Sequence, residues 1–269
     1  SVKSKIGVMG AGWLGKPLAI ELKRKGYELF VLSRAKEKLA YFQKYEIPVF
    51  EYDESPADII HCDVLISCIP PIESYGDFIG KQIEKYRPGY FVFCSSIGVY
   101  GQSHGVITEH AETFGNNRIL AAEDALSLQN TPSTILRLGG LIGPSRHPAM
   151  VFSGKSNIPG GLAPVNLIQQ QDVIQMVESV VARRKPGVYN VVYPYHPTRK
   201  EYYETKCLSM GLAPCSFDAE GQGKIVDGSL IESALVYDEH INIEEEAFVL
   251  STYPLLNSVT KTTIECIEA

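Results

Sequence analysis

Ile6-Gly7-Val8-Met9-Gly10-Ala11-Gly12-Trp13-Leu14-Gly15 is an apolar run that ends in a G-x-G-x-x-G motif. The run reads as a first strand, and Pro17 to Lys25 behind it reads as a first helix. In that setting the first glycine allows a tight turn. The second lets the backbone approach a pyrophosphate, and the third lets the helix lie close on the strand. The helix start presents unpaired N–H groups and the positive end of its dipole to the phosphates. The competing reading is a Gly-rich turn of an unrelated α/β domain. The strand before the motif, the helix it opens and a second strand at Glu28 to Leu32 favour dinucleotide binding.

Outward from this motif the first half alternates. Strand-like runs recur at Pro48–Glu51, Val64–Ser67 and Tyr90–Cys94, separated by helical stretches at Ala35–Lys44 and Ser74–Tyr86. Regular alternation predicts a parallel, doubly wound Rossmann-type α/β sheet, and short wholly apolar runs fit strands buried on both faces. A helix at Arg118–Leu128, a strand at Thr134–Leu138, a helix at Asp172–Arg183 and a strand at Val188–Val192 continue the pattern. After Tyr193 the prolines of Tyr193-Pro194-Tyr195-His196-Pro197-Thr198 interrupt it. A helix at Lys200–Met210, a short strand at Lys224–Val226 and a small helix at Ser229–Leu235 follow. We therefore expect a nucleotide-binding core over residues 1–198 and a small α+β cap over 199–269. The Gly/Pro-rich segment 139–165 is expected on the substrate side with the cap.

Bulk properties narrow the partners. The net charge of −6 gives no basic footprint for nucleic acid or a membrane surface. No apolar run approaches the ~20 residues of a membrane span, and the chain begins close to its first strand without a signal-like segment. The six cysteines (Cys62, Cys68, Cys94, Cys207, Cys215, Cys266) lack metal-ligand spacing and read as free thiols, which points to a cytoplasmic setting.

The end of the second strand selects the cofactor. A carboxylate there would accept from the ribose hydroxyls of NAD; an arginine accommodates the 2′-phosphate of NADP. The chain reads Leu32-Ser33-Arg34, so NADP is favoured over NAD, with Ser33 adding a hydroxyl. Alternatively Arg34 is a solvated residue of the cluster Arg34, Lys36, Lys38. Asp53 reads equally as an acceptor for the adenine amino group or as a helix cap. The expected cofactor contacts are Gly10, Gly12, Trp13, Leu14, Gly15, Ser33, Arg34, Asp53, Cys68, Ile69 and Pro70.

Phe93-Cys94-Ser95-Ser96-Ile97-Gly98-Val99-Tyr100-Gly101 resembles the S-S-x-x-V-Y-G segment of the extended short-chain dehydrogenase/reductase family, the NAD-dependent epimerases and dehydratases. Leu136–Pro144, Asn166–Asp172, Gly187–Val192 and Lys224–Leu235 resemble further segments of that family, in the same order. The resemblance spans roughly residues 5–240. It implies a serine that orients the substrate, here Ser96, and a Y-x-x-x-K pair that exchanges the proton and holds the nicotinamide ribose. At that pair the chain has Phe114 and Arg118. Phenylalanine has no proton to give, and losing a positioned acid or base removes about 10²–10⁴ in rate. Arg118 keeps the charge for a ribose or phosphate with a different donor geometry. The glycine motif is also one residue shorter than the family's usual form. The chain thus resembles the atypical members, and the string Tyr202-x-x-x-Lys206 falls in the cap, outside the expected position.

Tyr100, His104, Glu109 and His110 follow the fifth strand and are candidates to replace the tyrosine; their blander readings are a packed aromatic and loop residues. Arg146 and His147 read as contacts for an anionic substrate or as surface residues. Three functions follow. The first is an NADP-dependent epimerase/dehydratase-like oxidoreductase acting on a sugar nucleotide or another small polar metabolite. The second is an NADP-binding regulatory module without turnover. The third is a β-hydroxyacid dehydrogenase-like reductase, because Ile6–Ala19 resembles the opening of that family; it requires an all-helical second half. Pairing through the helix at 118–128 would give a homodimer.

Overall fold

The computed structural model describes residues 3–34, 38–54, 61–114 and 117–234. Residues 35–37 of the expected second helix, Leu235 and Cys266 lie outside them. The elements in chain order are β1 Lys5–Met9, α1 Gly15–Arg24, β2 Glu28–Leu32, α2 Lys38–Gln43, β3 Val49–Phe50, β4 Val64–Ser67, α3 Tyr75–Tyr86 and β5 Tyr90–Ser96. A 3₁₀ turn at Ile97–Tyr100 leads to β6 Gly105–Ile107, α4 Arg118–Ser127, β7 Ser133–Leu138, β8 Gly140–Ile142, α5 Ala149–Phe152 and β9 Leu167–Gln169. The chain ends its described part with α6 Gln170–Arg183, β10 Gly187–Val191, α7 Arg199–Ser209, β11 Lys224–Val226 and α8 Ser229–Ala234.

Seven strands form one sheet in the order β10-β7-β5-β4-β1-β2-β3, every pair parallel. The chain winds from β1 toward β3 and then returns to β4 on the other side of β1. Ligands of such sheets bind outside the carboxyl ends of the strands at this reversal. Alternation builds two cores. Ile6, Val8, Leu29 and Val31 face α1 and α6, while Met9, Phe30 and Leu32 face α3 and α4. Both faces are covered, so the strands are apolar at every position rather than at every second one. At Gly76 a Cβ would lie 2.8 Å from Ala125 Cβ, so this glycine lets α3 and α4 pack closely.

The second lobe is built from two distant segments. Ile142, Ala149 and Met150 pack with Tyr202, Tyr203, Cys207 and Phe217 in a separate core. Two small parallel pairs, β8 with β9 and β6 with β11, attach this lobe to the sheet. Within the described residues, side chains from segment 142–165 and from 202–217 share this core. The strands β6, β8 and β9 and helix α5 are too short to show a period in the sequence. Strand β5 runs to Ser96, beyond the expected end at Cys94. Helix α1 starts at Gly15, two residues before Pro17. Proline is tolerated there because the N–H groups of a first turn have no intrahelical acceptor.

Candidate cofactor and substrate site

The glycine turn lies at the reversal of the sheet, and each glycine is required for a different reason. Gly10 has φ +99°, and Cβ at that position would approach Ile69 Cγ2 to 2.9 Å. At Gly15 a Cβ would stand 2.0 Å from the carbonyl oxygen of Gly10, so only glycine closes the turn onto the helix. A Cβ on Gly12 meets no protein atom, because this glycine faces the open cleft. Leu14 at the N-cap offers no side-chain acceptor, and the first turn of α1 carries no acidic residue. A helix start of this kind, open at Gly12 and without an acidic residue, can accommodate a phosphate. These residues fit a dinucleotide.

A cavity of about 820 Å³ opens from this turn. Gly10, Gly12, Trp13 and Leu14 form one wall, and Cys68, Ile69 and Pro70 continue it beyond β4. The far end is lined by Ser96, Arg146, Asn166, Arg199, Tyr203 and Lys224. Arg34 and Asp53 are exposed beyond β2 and β3, outside this lining. Arg34 lies 5.9 Å from the Phe78 ring centre, and its charge opposes the burial that pushes the Tyr52 phenol up. Ser33 is buried, its N–H donating to Phe50 O at 3.0 Å.

Ser96 caps the 3₁₀ turn: Gly98 N donates to its Oγ at 2.9 Å. Gly101 N donates to Gly98 O, and Lys224 Nζ donates to Gly101 O at 2.9 Å. One turn thus holds both Ser96 and Lys224 at the cavity. Burial pulls the Lys224 ammonium below the ordinary lysine range. Asn166 fixes the strand that carries it, donating to Lys224 O at 2.9 Å and accepting from Val226 N at 2.8 Å.

Other expectations need correction. Arg118 opens α4 on its exposed side and does not line the cavity; its neighbour Ile119 does. Successive helix residues point about 100° apart, so when Ile119 faces inward Arg118 cannot. Phe114 is 51% exposed and also stands outside the lining. Tyr100 is a packed aromatic, buried, its hydroxyl donating to Asn190 Oδ1 at 2.5 Å. His104 and His110 are exposed loop residues, and Glu109 accepts from Asn190 N at 2.8 Å. His147 is neither a substrate contact nor a surface residue. It is buried in the second lobe, where Nδ1 accepts from Ala149 N at 3.0 Å and Nε2 lies 3.2 Å from the Tyr202 hydroxyl. Tyr202 and Lys206 are buried in that lobe too, away from the cofactor turn.

Two features were not read from the sequence. The first is a buried network under Ser96. Arg137 Nη2 donates to Glu123 Oε1 at 2.7 Å, Ser95 Oγ donates to Glu123 Oε2 at 2.5 Å, and Arg137 Nη1 donates to Tyr100 Oη at 3.1 Å. The signal available was two charged residues, Glu123 and Arg137, set in otherwise apolar stretches. The second is a clasp on the glycine turn. Trp13 Nε1 donates to Pro144 O at 2.5 Å, Gln170 Nε2 donates to Trp13 O at 2.9 Å, and the Arg146 guanidinium lies 4.3 Å from the Trp13 ring centre. Nothing local in the sequence announces these contacts across more than 100 residues.

The fold is of the Rossmann type, with the architecture seen in solved NAD-dependent epimerase/dehydratase structures. Residues 5–112 match the sequence model for the NAD binding domain of 6-phosphogluconate dehydrogenase. UDP-glucuronic acid 4-epimerase from Bacillus cereus, solved in complex with NAD, superposes with a TM-score of 0.74 at 18% identity, covering 96% of this chain and 97% of that one. The Bordetella bronchiseptica enzyme WbmG in complex with NAD gives 0.74 at 17% identity, covering 93% and 94%. These two likenesses concern the fold. Protein YeeZ of Escherichia coli is 31% identical over 262 residues, spanning 87% of this chain and 95% of YeeZ, and the chain belongs to the YeeZ family. The match to the dehydrogenase domain ends at 112, and beyond it β7 and β10 complete the same sheet. The all-helical second half required of a β-hydroxyacid dehydrogenase is therefore not met. Among the described residues no helix is long and apolar enough to cross a membrane.

Proposed function

We propose that the protein is an NADP-binding oxidoreductase of the epimerase/dehydratase type, acting on a small anionic metabolite such as a sugar nucleotide. The observation that carries this reading is the continuity of one cavity from the glycine cradle to Arg146, Arg199 and Lys224. When bound, the nicotinamide supplies hydride transfer. The chain's own residues do the rest. Gly10–Gly15 hold the pyrophosphate, Arg34 receives the 2′-phosphate, and Ser96 orients the substrate oxygen through a hydroxyl proton that its cap contact leaves available. Three cationic side chains at the far end select negative charge. With Phe114 and Arg118 outside the cavity, Lys224 is the lining group we assign to proton exchange, because burial brings its titration closer to neutrality.

The same displacement of Phe114 and Arg118 favours a second reading, an NADP-binding module without turnover. A homodimer through α4, whose C-cap residue Leu128 is exposed, belongs to either reading and is checked by sedimentation. Titration with NADPH and NADH, with Arg34→Ala in parallel, tests the cofactor assignment. NADPH preference should fall about 10–100-fold in the variant, the loss of a hydrogen-bonded charge contact. Equal affinity for both nucleotides in the unmodified protein overturns it. NADPH oxidation with a panel of anionic carbonyl compounds then separates the enzyme from the module.

A further inference from the structure

Two thiols share the wall of the cofactor cleft. Ser67 of β4 is opposite Phe93 of β5, so the next positions, Cys68 and Cys94, face each other across adjacent parallel strands. Their sulfurs are 3.8 Å apart, both side chains pack on the same face, and both line the cavity. The backbone on each side is held: Cys68 N donates to Met9 O at 2.9 Å, and Cys94 is paired with Leu136. Directly opposed residues of neighbouring strands have Cα atoms about 4.8 Å apart. That lies inside the window of about 4.4–6.8 Å that a disulfide spans without backbone movement. Cys68 also adjoins the glycine turn, since a Cβ on Gly15 would stand 3.6 Å from its Cβ. The other described cysteines are buried: Cys62 within the sheet core, and Cys207 and Cys215 within the second lobe.

We propose that Cys68 and Cys94 form a redox-closable dithiol in the wall of the cofactor cleft, oxidised to one disulfide by a small disulfide oxidant and shielded when a dinucleotide is bound. The shielding rests on the cofactor assignment above; the closure does not. One protein thiolate attacks the S–S bond of the oxidant, forming a mixed disulfide and releasing one oxidant thiolate. The second protein thiol loses its proton and attacks the protein sulfur of that mixed disulfide, expelling the other oxidant thiolate. Two protein thiols lose two electrons and two protons, and the oxidant is reduced to two thiols. The hydrogen bond to Cys94 and burial hold the Cys68 thiol well above its ordinary range, so closure accelerates as pH rises.

The experiment uses the folded protein, dithiodipyridine as oxidant and NADP⁺ as the protecting nucleotide, with peptide mapping under non-reducing conditions. The expected product joins the Cys68 and Cys94 peptides, is lighter by two hydrogens and keeps no pyridyl adduct. Cys94→Ser should stop at a pyridyl adduct on Cys68, and Cys68→Ala should leave the adduct on Cys94. Persistent adducts in the unmodified protein, a link that maps to Cys207 and Cys215 instead, or no reaction at either cysteine would overturn the closure. NADP⁺ at ten times its dissociation constant, measured separately by calorimetry, should slow closure about tenfold. Bound NADP⁺ with an unchanged rate overturns the shielding. No NADP⁺ binding with the link still formed overturns the cofactor assignment and leaves the dithiol standing.

Discussion

The two ends of the cleft differ in what they retain. At the cofactor end every glycine of the turn is held in place by a neighbour or by the cleft itself: Gly10 by its φ and Ile69, Gly15 by Gly10 O, Gly12 by open space. At the substrate end the expected proton-relay positions hold Phe114 and Arg118, and neither lines the cavity. Yet the support beneath that end is complete, with Ser95, Glu123, Arg137, Tyr100 and Asn190 in one buried network. Nucleotide binding and the scaffold of the fold can thus persist while the reacting groups change, because they rest on different residues.

The largest effect should come from the scaffold. The Arg137–Glu123 pair is buried, with side chains 8% and 5% exposed. Glu123→Ala strands the guanidinium without its partner and should cost about 3–5 kcal/mol in denaturant unfolding. A loss below about 1 kcal/mol would mean that the network does not support this end of the site. Next come the glycines, which separate fold from ligand. Gly15→Ala forces a Cβ onto a backbone oxygen, so about 1–3 kcal/mol of stability should be lost together with nucleotide binding. Gly12→Ala meets no protein atom, so thermal unfolding should hardly move while nucleotide affinity falls. Equal destabilisation by the two would break the distinction between closing the turn and facing the ligand.

How far the sequence carries follows from range. Local signals were enough for the parallel sheet, because an apolar run, a glycine turn and a helix recur in order, whereas strands buried on both faces carry no alternation from which to read the register of β1 with β2 and β4. Cys68, Ile69 and Pro70 line the cavity beside the turn because they directly follow β4, which pairs with β1. Arg118 was misplaced because position in a motif does not fix helix phase, and Ile119 is the residue that points inward. His147 was misread because its partners, Ala149 N and Tyr202, belong to a core assembled from segments more than 50 residues apart. Lys224 was visible only as part of a motif. Its meeting with Gly101 spans 123 residues, and no pattern within either segment encodes it.

Lys224 sharpens the comparison through pH. Its ammonium is held below the ordinary lysine range by burial, so it loses its charge at lower pH than an exposed lysine. Affinity for an anionic ligand should therefore decline as pH rises through the Lys224 titration, before the ordinary lysine range is reached. Lys224→Arg should remove that decline, because a guanidinium stays charged throughout. An unchanged pH profile in the variant would place the anion elsewhere in the cavity.

The smallest effect belongs to the clasp between the two ends. Trp13 stands in the glycine turn and Arg146 in the substrate lobe, and a cation–π contact of this kind contributes about 0.5–1 kcal/mol at an exposed site. Arg146→Ala should therefore leave the fold intact and weaken nucleotide binding by less than about fivefold. Its value lies in the readout. Trp13 is the single tryptophan of the chain, so the emission comes from this one site. If Arg146 turns to an anionic ligand, the ligand should change Trp13 emission in the unmodified protein and not in Arg146→Ala, although Trp13 itself remains fastened to Pro144. An identical emission change in both proteins would mean that the ligand reaches the indole without passing through Arg146. The two ends of the cleft would then be adjacent without being coupled.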